Sequence, residues 1–250
     1  MKKEDGKIIL ISGSKGGCGQ SFICNCLSNY LSINTDKNIL LMDFNTGRMD
    51  SRIIYKTRED NIRTIHDIRN ISEEIDESII KKIVVNFDNS LNVIFPPLYS
   101  DNLKAISYKD LLKIFKTLKR IFDMILVDYP FYPHLTEKDK SILNDVDKLL
   151  FVSLPDLISL SNLNIIIKQL ADIIDYLNPE VIVNKYNVQP SISFALLSAV
   201  LKYPVDYFIP FDRDIQQLYL EKGPSHIFRY NLKIIRDLSG IGTNLIEQLF

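Results

Sequence analysis

Short apolar runs alternate along the chain with longer stretches in which apolar residues recur every three or four positions. The runs predict strands over 7–12, 38–43, 91–96, 123–128, 148–153, 180–184 and 205–210. Several are rich in Ile, Val and Leu with little alternation, the pattern of parallel strands covered on both faces. The helical rhythm predicts helices near 20–33, 73–84, 107–121, 136–144, 159–176, 191–202 and 212–222, with one or two more after 228. In "SYKDLLKIFKTLKRIF", for example, Leu111, Leu112, Ile114, Phe115, Leu118, Ile121 and Phe122 form one stripe. Strand–helix alternation of this kind predicts an α/β fold, a doubly wound and mostly parallel sheet flanked by helices. No repeat, Pro- or Ser-rich linker or low-complexity tract interrupts it, so residues 1–250 read as a single domain.

Composition narrows the class. Apolar residues make up 46% of the chain, enough for a sizeable core. The formal net charge of −1 argues against a protein that coats nucleic acid by electrostatics alone. All three cysteines fall within Cys18 to Cys26, which gives no disulfide framework and suits a reducing, cytoplasmic setting. Cys24 and Cys26 lie two apart on a predicted helix, where side chains diverge, which argues against a metal pair. His66, His134 and His226 have no partner at ligand or triad spacing. No stretch of some 18 apolar residues exists to span a membrane, and the run Ile8–Ile11 is too short for a signal peptide.

The candidate chemistry follows the first predicted strand, in "SGSKGGCGQS" (residues 12–21). Gly13, Gly16, Gly17 and Gly19 let the backbone curl so that successive N–H groups face an anion, and the next helix adds its positive dipole end. As the phosphate-loop pattern G-x-x-x-x-G-K-[ST], the segment departs twice, with Ser14 for the first glycine and Gln20 for the lysine. Ser21 is placed either to ligate Mg²⁺ or to cap the helix. A dinucleotide fingerprint, Gly17-x-Gly19-x-x-Phe22 with Asp43 on the ribose, is the other reading. It lacks the third glycine, and Phe22 would obstruct the helix–strand packing that glycine serves.

Lys15-Gly16-Gly17-x-Gly19 resembles the deviant Walker A loop, KGGxGK[ST], of the ParA/MinD family of ATPases. The resemblance continues in "ILLMDFNTGRMD" (Asp43-Phe44-Asn45), "FDMILVDYP" (Asp123, Asp128, Pro130), "LLFVSLPDLISLSNL", "VIVNKYN" and "FIPFDRDIQQLYLEKGP". It implies a P-loop NTPase fold that binds ATP or ADP with Mg²⁺. Gly16, Gly17, Cys18, Gly19, Gln20, Ser21 and Phe22 would hold the phosphates. Asn184, Lys185, Pro210, Phe211 and Asp212 would surround the base. Ser21 and Asp128 would hold the metal. Lys15, the signature lysine, would reach across a homodimer to the partner's phosphates. Asp43 would act near the phosphates or support the loop by an ion pair with Lys15. The stretch "TIHDIRNISEEIDESIIKKIVVNFDNSLNVIFPP" is similar to the CpaE/TadZ branch, whose members act in pilus assembly and polar localisation. Members of that branch often carry an extra N-terminal receiver-like domain. The first strand here starts a few residues into the chain, so the resemblance implies a form without that domain or one from which it was removed.

Two departures bear on turnover. Gln20 donates a hydrogen bond but brings no charge to the phosphates, and Asn45 stands where the family's water-orienting carboxylate falls. Each loss typically costs on the order of 10²–10³ in rate. The expectation is a nucleotide-binding switch or scaffold, weakly or non-hydrolysing, with assembly-machinery partners. The alternatives are an active ParA/MinD-type ATPase for DNA partition or division-site placement, and a dinucleotide-binding oxidoreductase. Arg229, Lys233 and Arg236 are diluted by Glu221, Asp237 and Glu247, which argues against a DNA-binding face. The tail "IGTNLIEQLF" has an apolar stripe and no basic residue, which predicts core packing and at most peripheral membrane association.

Overall fold

A computed structural model describes residues 5–45, 50–57, 62–68, 75–87, 90–97, 107–131, 135–171, 177–188 and 192–250. The strands are β1 (Lys7–Gly13), β2 (Ile39–Asp43), β3 (Val85–Asn86), β4 (Leu91–Ile94), β5 (Met124–Asp128), β6 (Lys148–Ser153), β7 (Glu180–Asn184) and β8 (Tyr207–Ile209). They form one sheet in the order β3-β4-β2-β5-β1-β6-β7-β8, parallel except for the edge pair β3–β4. The helices are α1 (Gln20–Asn34), α2 (Asp50–Ile54), α3 (Glu77–Ile80), α4 (Tyr108–Ile121), α5 (Glu137–Leu143), α6 (Leu157–Gln169), α7 (Phe194–Val200), α8 (Arg213–Lys222) and α9 (Lys233–Leu249).

Successive strand residues point to opposite faces, so each face of the sheet builds its own core. Ile8, Leu10, Leu40, Ile125, Val127 and Phe151 pack under α4, α5, α6 and α7. Ile9, Ile11, Leu41, Leu126, Val152 and Ile182 pack under α1, α8 and α9. This two-sided burial explains the continuous Ile/Val/Leu runs. On α4 the stripe buries Leu111, Ile114, Phe115 and Leu118, and Ser107 caps the helix by accepting from the Asp110 amide. The tail packs into the core, as its stripe predicts. Ile241 and Leu245 are buried, and Gly242 lies so close to Tyr30 that a Cβ there would stand 2.2 Å from the ring.

Some elements differ from expectation. Within the span 73–84, where one helix is expected, the described helix is four residues long: it starts at its Asp76 cap and gives way after Ile80 to a turn that leads into an unanticipated edge strand, Val85–Asn86. Helix α2 and the 3-10 turns Ile65–Ile68 and His226–Arg229 were not anticipated either; each is only four or five residues long, too short for a periodic signal. The strand expected over 91–96 stops at Ile94, ahead of Pro96, which has no N–H for a ladder.

Topology excludes the dinucleotide reading. That fold needs the first two strands adjacent, so that an acid ending the second meets the loop after the first. Here β5 lies between β1 and β2, and Asp128 ends it.

Candidate nucleotide-binding site

Central placement of β1 brings its loop between the carboxyl ends of β5 and β6, and a cleft of about 560 Å³ opens there. The whole loop from Gly13 to Phe22 lines it, facing Asn184, Lys185, Pro210, Phe211 and Asp212. Gly17 and Gly19 adopt positive φ values of 80° and 95°, which glycine takes without penalty. A Cβ on Gly19 would also stand 2.2 Å from the Asn184 amide nitrogen, and one on Gly13 would stand 2.5 Å from the Cys18 sulfur. Helix α1 starts at Gln20 behind Gly19 as its N-cap, with no side-chain cap and no acidic residue in its first turn. Its amide dipoles are therefore left for an anion.

Beneath the loop lie two carboxylates. Asp43 and Asp128 are register neighbours at the ends of β2 and β5, and both are buried. Burial pushes the Asp128 carboxyl up to about 7, assisted by the Asp43 charge and opposed by polar groups of Ser21, Asn45 and Gln20. Burial likewise raises Asp43, against hydrogen bonds donated by Asn45. Gln20 Nε2 donates to Asp128 Oδ1 at 2.5 Å, whereas Asp128 Oδ2 is buried and has no hydrogen-bond partner among the described residues. Asn45 donates to Asp43 Oδ1 from its backbone at 2.8 Å and from its side chain at 3.0 Å, and its amide lies 3.4 Å from the Ser21 hydroxyl. A hard oxygen set of this kind, with an orphaned carboxylate oxygen and a nearby hydroxyl, suits Mg²⁺.

The family model for an AAA domain matches residues 6–183. The chain belongs to this family. No curated protein matches the sequence, but solved structures do. A ParA family ATPase from Chlorobium tepidum TLS superposes with a TM-score of 0.80 at 22% identity, over 96% of this chain and 99% of that one. The septum site-determining protein MinD from Pyrococcus horikoshii OT3, complexed with Mg-ADP, gives 0.74 at 18% identity, over 97% of both chains. A putative plasmid partition protein from Borrelia burgdorferi B31, bound to AMPPNP, gives 0.69 at 19% identity, over 97% of this chain and 99% of that one. The fold is that of the ParA/MinD-type P-loop ATPases.

Within this AAA domain, the two lysines at the cleft are both engaged. The Lys15 ammonium lies 2.9 Å from Asp156 Oδ2. The ion pair expected with Asp43 is not formed, because Asp156 presents its carboxylate at the half-exposed N-cap of α6, whereas Asp43 is buried under Asn45. Burial tends to raise Asp156, but the Ser159 amide and Lys15 outweigh it and hold the carboxyl below its ordinary value. Lys185 Nζ reaches the Gly17 carbonyl at 3.4 Å. Asn184 donates to the Cys18 carbonyl at 2.9 Å and accepts from the Lys185 amide at 2.9 Å, so in this structure it braces the loop. Asp212 caps α8 by accepting from the Ile215 amide. Ser21 does not cap α1. Phe22 meets Tyr219 edge-on, ring centroids 4.9 Å apart, at the apolar side of the cleft. Asp123 sits at the far end of β5, accepting from the Asn38 amide at 2.7 Å, away from the cleft.

Three contributors escaped the sequence reading. One is Asp156, 141 residues from the lysine it pairs with. Another is Asn187, whose amide bonds both the carbonyl (3.0 Å) and the N–H (2.6 Å) of Phe211 and so fixes the Pro210–Asp212 segment. The third is Ser12, which accepts from the Phe131 amide at 3.0 Å and ties the segment after β5 to β1. The loop around Gly47 (residues 46–49) and His134 lie outside the described residues.

Proposed function

We propose that this chain binds Mg–ATP or Mg–ADP in the cleft and hydrolyses ATP slowly or not at all. It acts as a ParA/MinD-like dimeric positioning scaffold for assembly machinery, of the CpaE/TadZ type, in pilus or secretion assembly. One observation carries the catalytic part: at the two positions where the family pattern has a lysine and a carboxylate, the buried carboxylates are met by the amides of Gln20 and Asn45, both acting as donors. A cation at position 20 would steady charge developing on the phosphates, and a carboxylate at position 45 would orient water. Neither amide does this. Ground-state binding keeps the glycine-rich loop, the uncapped α1 terminus, Ser21 and the carboxylate pair, so the deficit falls mainly on the transition state and hence on rate. Bound Mg²⁺, held by Ser21 and Asp128, would supply the positive charge that the loop lacks.

The dimeric part rests on Lys15, which is partly exposed beside the cleft and held by a single carboxylate it can exchange. The branch and process rest on the similarity of residues 64–97 to CpaE/TadZ proteins. Nothing in the charge pattern favours nucleic acid, and among the described residues no helix is long and apolar enough to cross a membrane. Titration calorimetry with nucleotide and Mg²⁺ tests the binding: heat of binding below millimolar is expected, and none at that range contradicts it. Sedimentation tests the dimer. The mass should rise with ATP for the wild type and rise less for Lys15→Ala; equal masses in every condition refute the cross-subunit lysine.

A further inference from the structure

Carboxyl groups lie beneath and beside the cleft. Asp43 and Asp128 lie side by side beneath the loop, and Asp50 and Asp212 line the walls. Among the described lining residues the cations are Lys15, bound to Asp156, and Lys185, bound to the Gly17 carbonyl. Gln20, which begins α1, is fixed as a neutral strut. Its nitrogen donates to Asp128 Oδ1, and its oxygen lies 2.7 Å from where a Cβ on Gly13 would stand. Gln20 therefore orients Asp128 without neutralising it, and Asp128 Oδ2 is left with no partner. A phosphate seated in the loop lies above this buried carboxyl pair, and Gln20, the side chain of the loop that reaches the pair, is neutral. Negative charge held there away from water opposes a second negative charge strongly.

We propose that Gln20 and the Asp43–Asp128 pair make nucleotide binding obligatorily dependent on a divalent cation, with Gln20 acting as a positioning residue that holds Asp128 for that ion. The proposal rests on the nucleotide-binding reading above. It says that this chain places in the metal the charge that a lysine at position 20 would have supplied to the phosphate.

The test is equilibrium binding of ADP, which removes turnover from the measurement, with Mg²⁺ and with EDTA. Wild type is expected to lose about a hundredfold or more in affinity in EDTA. In Gln20→Lys the loss should shrink to about tenfold or less. In Asp128→Asn the two conditions should move in opposite directions, tighter than wild type in EDTA and weaker in Mg²⁺, each by about tenfold. Shrinkage in either folded variant, as judged by circular dichroism, supports the proposal. ADP binding by wild type that EDTA leaves intact overturns this proposal alone. So does a wild-type loss that both folded variants keep in full. Absence of ADP binding with Mg²⁺ overturns the nucleotide reading and this proposal with it.

Discussion

At the amino ends of the strands, Asp147 accepts from the Ile8 amide at 2.8 Å and lies 2.7 Å from the Lys119 ammonium and 3.7 Å from that of Lys7. Close by, Lys148 and Glu180 form a buried ion pair at 2.7 Å. At the carboxyl ends of the same sheet, Asp43 and Asp128 are equally buried but face each other and a set of amides. One end pairs Asp147 and Glu180 with lysines, which serves the fold. The other end holds like charges together at a cost that a bound cation would remove. A buried charge is a sign of function here only where its counter-charge is missing.

Removing a counter-charge at the amino end should have the largest effect. Lys148→Ala leaves Glu180 buried without its ion partner and should cost about 3–5 kcal/mol in denaturant unfolding. A loss under about 1 kcal/mol would mean that Gln248, which also donates to Glu180 at 2.9 Å, is partner enough. The carboxyl end should respond with the opposite sign. Asp128→Asn should stabilise the nucleotide-free protein by about 2 kcal/mol at pH 8 while weakening Mg-nucleotide binding.

The pH dependence of that gain follows from the raised carboxyl. Below about pH 4 the acid is protonated in folded and unfolded chains alike and adds no penalty. As pH rises towards about 7 the unfolded chain ionises first, so the folded state loses relative stability. Above about 7 the penalty is constant. The stability difference between Asp128→Asn and wild type, followed by denaturant unfolding in the absence of Mg²⁺, should therefore grow from pH 4 to 7 and then level. A difference that stays flat over that interval would mean the carboxyl is not raised.

The fold and the carboxyl-end residues were legible in the chain, for physical reasons that differ by residue. The amino-end ion pairs, which join residues far apart in sequence, were not. The strands are legible because two-sided burial leaves unbroken Ile, Val and Leu. Gln20 and Asn45 stand out only against a family pattern, since an amide after a glycine is unremarkable in itself. The partner of Lys15 was not legible. Asp156 begins a helix that follows β6, and it reaches the loop because β1 and β6 are neighbours, a tertiary fact. Asn187 was missed for the same reason, its job being to imitate a strand neighbour for Phe211.

The smallest effect belongs to the rim. Asn187→Ala removes two exposed hydrogen bonds, so stability should change by no more than about 1 kcal/mol, while nucleotide affinity falls about threefold to tenfold as the Pro210–Asp212 segment loosens. Calorimetry showing unchanged affinity would mean that segment does not hold the base.

The central claim is that two neutral amides among the buried carboxylates separate binding from turnover. Single-turnover hydrolysis of Mg–ATP by wild type, Gln20→Lys, Asn45→Asp and the double variant measures it most directly. The account predicts slow wild-type turnover, little gain from either single change and about 10³-fold or more from the pair, exceeding the sum of the singles in free energy. A wild type that already hydrolyses ATP as fast as the double variant would contradict it, as would a double variant that binds nucleotide and stays inert.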